Sequence, residues 1–198
     1  IPRGSGNTEK VRAYCADFAK KKGLKYVLDD AGNIVIYKPA CNSNSIRPII
    51  IQGHLDMVWE KDESSKINFE TDGLELIVEG NYIRANGTTL GGDDGIAVAM
   101  GLALLDSDDI KHPPLEVLFT ADEEVGMSGA EGLDASILEG KRMINLDSEA
   151  EGVLWVSCAG GVRADISFNA EVEPNAKNSF EISVSGLHGG HSGAEIHK

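Results

Sequence analysis

Two short stretches, "RPIIIQ" ending at Gln52 and "PPLEVLFT" ending at Thr120, are apolar at almost every position rather than at every second one. Successive side chains of a strand point to opposite faces, so a run apolar at both parities must be covered on both sides. That confines these runs to the interior of a sheet with helices on each face. A third, shorter run, "MINL", precedes Asp147. Between the first two lies "DDGIAVAMGLALLD", whose small apolar residues suit a helix lying close against a sheet. Strands alternating with helices predict an α/β fold with a mostly parallel sheet flanked by helices.

The remaining elements follow from periodicity and punctuation. "NTEKVRAYCADFAKKKGL" predicts a helix capped by Asn7, with Val11, Tyr14, Cys15 and Phe18 on one face and Gly23 at its end. "KYVLDD" and "NIVIYKPA" predict two strands around a turn at residues 30–33. "SSKINFETDGLELIVEGNYIRANG" reads as an excursion of short strands and turns, "GAEGLDASIL" as helical and "GVLWVSCAGG" as a strand. From Val162 the pattern alternates, as in half-exposed antiparallel strands, which sets a domain boundary near Gly160–Gly161. Residues 1–161 then form a first domain and residues 162–198 the start of a second.

The chain has 198 residues and a formal net charge of -14, which disfavours nucleic acid and anionic membranes as partners. No apolar stretch approaches the roughly 20 residues that span a bilayer, and no signal peptide is visible. Cys15, Cys41 and Cys158 are scattered and odd in number, which argues against a disulfide framework or a thiolate zinc site. The expected location is therefore a reducing one, the cytoplasm. A start at Ile1 and a stop within "GAEIHK" suggest a fragment of a longer protein.

All three apolar runs end in potential metal ligands: His54 and Asp56 after the first, Asp122, Glu123 and Glu124 after the second, Asp147 after the third. "GTTLGGDDG" adds Asp93 and Asp94 at the start of the intervening helix. In open parallel sheets, ligands bind beyond the carboxyl ends of the strands. Parallel neighbours would bring His54, Asp93, Glu124 and Asp147 to one edge. Imidazole with carboxylates suits zinc, with manganese and cobalt compatible, and two adjacent cations would offset the repulsion among the acids. Glu123 could stay off the metal as a base, and Asp56 could accept the second imidazole proton. Each piece alone has a plainer account. Asp93 and Asp94 can cap a helix, the three acids can form a solvated turn, and His54 can be a loop histidine. Their joint occurrence at successive strand ends favours the metal reading.

"GHLDMV", "GTTLGGDDG", "TADEEVGMSGA" and "INLDSE", in this order, resemble the dinuclear-zinc exopeptidases that include aminoacylase and carnosinase. The opening "IPRGSGNTEKV" and the ending "GLHGGHSGAEIHK" are similar to the aminoacyl-histidine (Xaa-His) dipeptidase branch. The resemblance implies a zinc-exopeptidase catalytic domain over 1–161 and the beginning of an α+β lid and dimerisation domain over 162–198. It implies hydrolysis of Xaa-His dipeptides by a water activated between two metal ions, with Glu123 as general base. His54 and Asp147 then bind one ion, Asp93 bridges both, and Glu124 binds the other. Asp56 supports the centre from behind, and His191 of the lid helps stabilise the transition state. A cis Asp93–Asp94 peptide and a homodimer through the lid are further implications.

The family takes a second histidine ligand from after the lid, beyond this chain, so the resemblance implies that the isolated 198 residues are inactive or nearly so. Asp94 stands where some relatives carry Asn, adding a negative charge beside the bridge. The same metal residues would serve a broad dipeptidase, a tripeptidase or an aminoacylase. A non-catalytic relative is the alternative of another class, and the presence of both Glu123 and Asp93 weighs against it.

Overall fold

Residues apolar at both parities organise the sheet. The computed structural model describes residues 1–148, 150–158, 160, 164–169 and 180–186. It divides into two units, Ile1–Val153 and Leu154–Lys198.

In the first unit, helix α1 (Glu9–Lys21) precedes strands β1 (Lys25–Leu28), β2 (Ile34–Lys38) and β3 (Ile49–His54). A hairpin of β4 (Leu76–Glu79) and β5 (Tyr82–Ala85) leads to helix α2 (Gly92–Asp106) and strand β6 (Leu115–Thr120). Short helix α3 (Ser128–Glu131), a 3-10 turn (Ala135–Ile137) and strand β7 (Met143–Asn145) follow. The main sheet has the order β1-β2-β6-β3-β7. β3 pairs in parallel with β6 and β7, β2 is antiparallel to β6, and β1 is antiparallel to β2. Only β2 therefore runs against the others, and the mostly parallel α/β arrangement stands.

Both faces of the central strands are covered. Ile34, Ile36, Ile51, Val117 and Phe119 pack with Val11, Cys15 and Ala19 of α1 and with Val98 and Leu105 of α2. The alternate residues Val35, Ile50 and Leu118 pack against Leu133, Ile137 and Leu138. Gly101 lets α2 sit close, since a Cβ there would lie 2.7 Å from Phe119 Cζ and 2.9 Å from Val117 Cγ1. Glu116, the charged interruption of β6, is buried and accepts the amides of Glu139 (2.9 Å) and Gly140 (3.0 Å). Lys38 is buried at the end of β2, and its ammonium donates to the carbonyls of Leu104 (3.0 Å), Leu105 (3.1 Å) and Ser107 at the end of α2. These include carbonyls that a helix C-terminus leaves without intrahelical partners.

Several expectations are corrected. The N-cap of α1 is Thr8 rather than Asn7, and its side chain makes no capping bond; Asn7 Nδ2 reaches the Glu70 carbonyl instead. "GAEGLDASIL" forms only one α turn and one 3-10 turn, because Gly132 and Asp134 interrupt it. β7 is exposed rather than buried, since it is the sheet's edge among the described residues, with β3 on one side only. Residues 153–158 are not a strand, and neither are 164–169 or 180–186. Alternation fixes which face a strand would bury, but a ladder needs a partner, and none is present among the described residues.

Candidate metal and catalytic centre

The parallel register brings the site together. His54, the last residue of β3, is level with Thr120, the last of β6. Gln52 is level with Asn145, so Asp147 sits two residues past that pair on β7, as His54 does on β3. Residues 121–124 leave β6 at the same edge. Helix α2 arrives there closely because Gly53 has no Cβ: one would lie 2.5 Å from Ala97 Cβ and 2.6 Å from Asp94 Oδ2. Asp94 is buried and accepts the amides of His54 (3.2 Å) and Ala97 (3.3 Å). It ties the end of β3 to the first turn of α2, which gives the extra negative charge a structural role. Burial raises its carboxyl to about 6, against the lowering effect of those two amides. The Asp93–Asp94 peptide is cis.

The His54 ring is buried between carboxylates. Its Nε2 lies 3.0 Å from Asp93 Oδ1 and 3.9 Å from Asp147 Oδ2. Nδ1 lies 3.2 Å from Asp56 Oδ1, close enough for attraction although the ring N–H is not well aligned with that oxygen. Burial pushes the imidazole pKa down, but Asp56, Asp147 and Asp93 outweigh it and raise the pKa to about 9. Asp56 is buried and accepts from Ser5 Oγ (2.8 Å), Glu123 N (3.0 Å) and Glu124 N (3.3 Å). Burial would raise its carboxyl, yet the nearby His54 ring and the hydrogen bonds from Ser5 and Glu123 hold it at about 2. One aspartate thus fixes both the imidazole and the backbone that presents the two glutamates.

Those glutamates follow Asp122, a residue with φ of 53° whose Oδ1 accepts the Gly6 amide at 2.7 Å. Aspartate tolerates this left-handed conformation better than most residues. Burial raises both glutamate carboxyls, reinforced by Asp147 at Glu123 and by Asp93 at Glu124.

Two sets of potential donors arise, His54–Glu123–Asp147 and His54–Asp93–Glu124, each with its ligand atoms within 4.8 Å of one another. Both contain His54, whose Nδ1 faces Asp56, so Nε2 can serve only one ion. The donor chemistry suits divalent cations: one imidazole nitrogen and several carboxylates, whose mutual repulsion a cation would relieve. A cation at Nε2 would compete with the proton that the carboxylates favour there. His191 lies outside the described residues.

Three residues with contacts here carried no role in the sequence. Ser5 holds Asp56, Arg3 donates to the carbonyls beyond His54, and Asn33 accepts the Ala121 amide at 3.0 Å while donating to Gly129 O at 2.7 Å. For Arg3 and Ser5 the available signal was the "IPRGSG" opening, which carried a resemblance but no chemistry. Among the described residues, no helix is long and apolar enough to cross a membrane.

Residues 50–188 match the profile of peptidase family M20/M25/M40. Along its whole length the chain is 40% identical to the cytosol non-specific dipeptidase of Escherichia coli (strain K12), of which it covers 41%. The crystal structure of aminoacylhistidine dipeptidase from Vibrio alginolyticus superposes with a TM-score of 0.74 at 42% identity, over 77% of this chain and 31% of that one. A tripeptidase from Staphylococcus aureus subsp. aureus Mu50 shares the fold, with a TM-score of 0.62 at 24% identity over 76% of this chain and 40% of that one. The chain therefore spans less than half the length of each of these relatives.

Proposed function

Because the chain belongs to peptidase family M20/M25/M40, we propose that it carries most of the catalytic centre of a metal-dependent dipeptidase. The observation that supports this best is the meeting of His54, Asp93, Glu124 and Asp147 at one sheet edge, with Glu123 among them. The 40% identity to a cytosol non-specific dipeptidase supports dipeptides as the substrate class. Dipeptides of the Xaa-His type are the favoured substrates, in keeping with the likeness to an aminoacylhistidine dipeptidase. Residues 1–161 form the catalytic portion and residues 162–198 begin the lid, through which a homodimer forms. The protein works in the cytoplasm.

Two divalent ions, zinc by preference, would be held by His54, Asp93, Glu124 and Asp147, with Asp93 shared. When bound, such ions polarise a scissile carbonyl and acidify water. Glu123 accepts the proton of the attacking water and returns it to the leaving amine. Asp56 holds the His54 ring with Nε2 toward Asp93 and Asp147. His191 assists at the developing charge.

The test combines metal content with hydrolysis by the full-length protein. β-Alanyl-histidine, leucyl-leucine, a tripeptide and an N-acetyl amino acid separate the dipeptidase from tripeptidase and aminoacylase alternatives. Glu123→Ala is expected to keep its metal and lose turnover. Near-normal turnover in that variant would remove Glu123 as the base. Absence of bound divalent ions from the active wild-type protein would remove the reading altogether.

A further inference from the structure

Arg3 reaches the two segments that carry His54 and Asp93. Its Nη1 donates to the carbonyls of Leu55 (2.9 Å) and Asp56 (2.9 Å), directly after His54. Its Nη2 donates to the carbonyl of Gly91, the N-cap of α2, two residues before Asp93. The arginine is itself pinned. Met57 N donates to Arg3 O (3.1 Å) and Ser5 N to Met57 O (3.3 Å), so residues 3–5 lie as a short parallel extension beside the chain leaving β3.

The glycines of "GGDDG" are arranged around this side chain. Gly91 has φ of 69°, and a Cβ there would lie 2.5 Å from Arg3 Nη2; at Gly95 a Cβ would lie 2.7 Å from the same atom. Gly95 follows the non-helical pair Asp93 and Asp94 but has no positive φ that would call for glycine, so space for the guanidinium is what its missing side chain provides. A planar fork can bind carbonyls from two directions at fixed spacing, which a lysine ammonium on a flexible stem cannot reproduce.

We propose that Arg3 is a positioning residue that sets the spacing between His54 and Asp93 by clamping the backbone after β3 to the backbone before Asp93. Its relevance to catalysis rests on the metal-dependent reading above; the clamp itself does not. Arg3 touches neither substrate nor metal in this scheme. It acts through the two segments it joins, and the loss of the fork lets them separate while the positive charge is retained.

The experiment uses the full-length protein with Arg3→Lys and, independently, Gly95→Ala, which crowds the guanidinium. Amide hydrogen exchange is measured on the metal-free proteins, and zinc affinity by chelator competition well below the melting temperature. Both variants are expected to exchange faster at residues 54–57 and 91–97 with the rest of the sheet unchanged, and to bind zinc roughly 10–100-fold more weakly, the usual effect of losing support behind metal ligands. Adding Arg3→Ala to Gly95→Ala is expected to abolish the additional effect of the alanine. Wild-type exchange and affinity in Arg3→Lys would overturn the proposal. So would an Arg3→Lys protein that does not fold beside an unaffected Gly95→Ala protein, since Arg3 would then be needed for folding rather than spacing. If the wild-type protein holds no divalent ion, the metal-dependent reading fails, and the exchange data on metal-free protein still decide the clamp.

Discussion

Replacing Lys38 by Met isolates one contribution to the fold that holds the centre. The substitution keeps an apolar stem of similar length and removes the ammonium. All three of its N–H donors are used, on the carbonyls of Leu104, Leu105 and Ser107. Hydrogen bonds to a charged group contribute about 1.5–3 kcal/mol each, but one ammonium is desolvated only once, so the three do not add. A cation at a partly buried helix C-terminus contributes up to about 2 kcal/mol. Water can reach part of the vacated end, because Leu104 and Ser107 are only half-buried. The net expectation for Lys38→Met is a loss of about 2–4 kcal/mol, read as a lower urea midpoint at unchanged slope. The site lies at the opposite end of α2, so zinc stoichiometry and affinity of the folded variant should match wild type. A loss below about 0.5 kcal/mol, the range of ordinary surface substitutions, would refute the capping argument. A large loss accompanied by weakened metal binding would show that the two ends of α2 are not independent.

Asp56→Asn replaces one acceptor oxygen by a donor. Ser5 can turn its hydroxyl to accept, but the Glu124 amide, now 3.3 Å from an oxygen, would face an N–H group. Zinc affinity is expected to fall roughly 10–100-fold, measured by chelator competition, and unchanged affinity would remove Asp56 from its supporting role. Cys15 is fully buried and burial pushes its thiol up to about 12, whereas Cys158 is exposed. Under native conditions at pH 8, iodoacetamide should modify Cys158 long before Cys15, as peptide mass spectrometry would show; comparable rates would mean that the α1–sheet contact opens readily.

The interior strands were legible because their constraint is local. Ile49–Ile51 and Val117–Phe119 are apolar at both parities, which leaves little choice but a covered strand. β7 was not, since three residues cannot encode whether anything lies on their far side. The stretch after Val162 alternates correctly for strands yet does not specify a ladder partner. His54, Asp93, Glu124 and Asp147 stood out because strong donors follow apolar runs at successive strand ends. Arg3 and Ser5 did not. Their partners are backbone carbonyls and one carboxylate more than fifty residues away, and those contacts exist only once the chain has folded. The function of Asp94 was equally hidden, because it depends on the gap that Gly53 leaves beside it.

The shared register of β3, β6 and β7 makes the two ends of the sheet unequal. A one-residue slip of β3 against β6 would exchange the faces of every side chain in the strand and withdraw His54 from its carboxylates. At that end the chain cannot change length without dismantling the centre. At the other end, residues 42–47 form a mostly exposed connection between β2 and β3, and nothing in the His54 or Glu123 surroundings depends on its length. Drift in sequence and length can accumulate there, as can an inserted peptide or a linker to another domain, while the chemistry at the opposite edge keeps its dimensions.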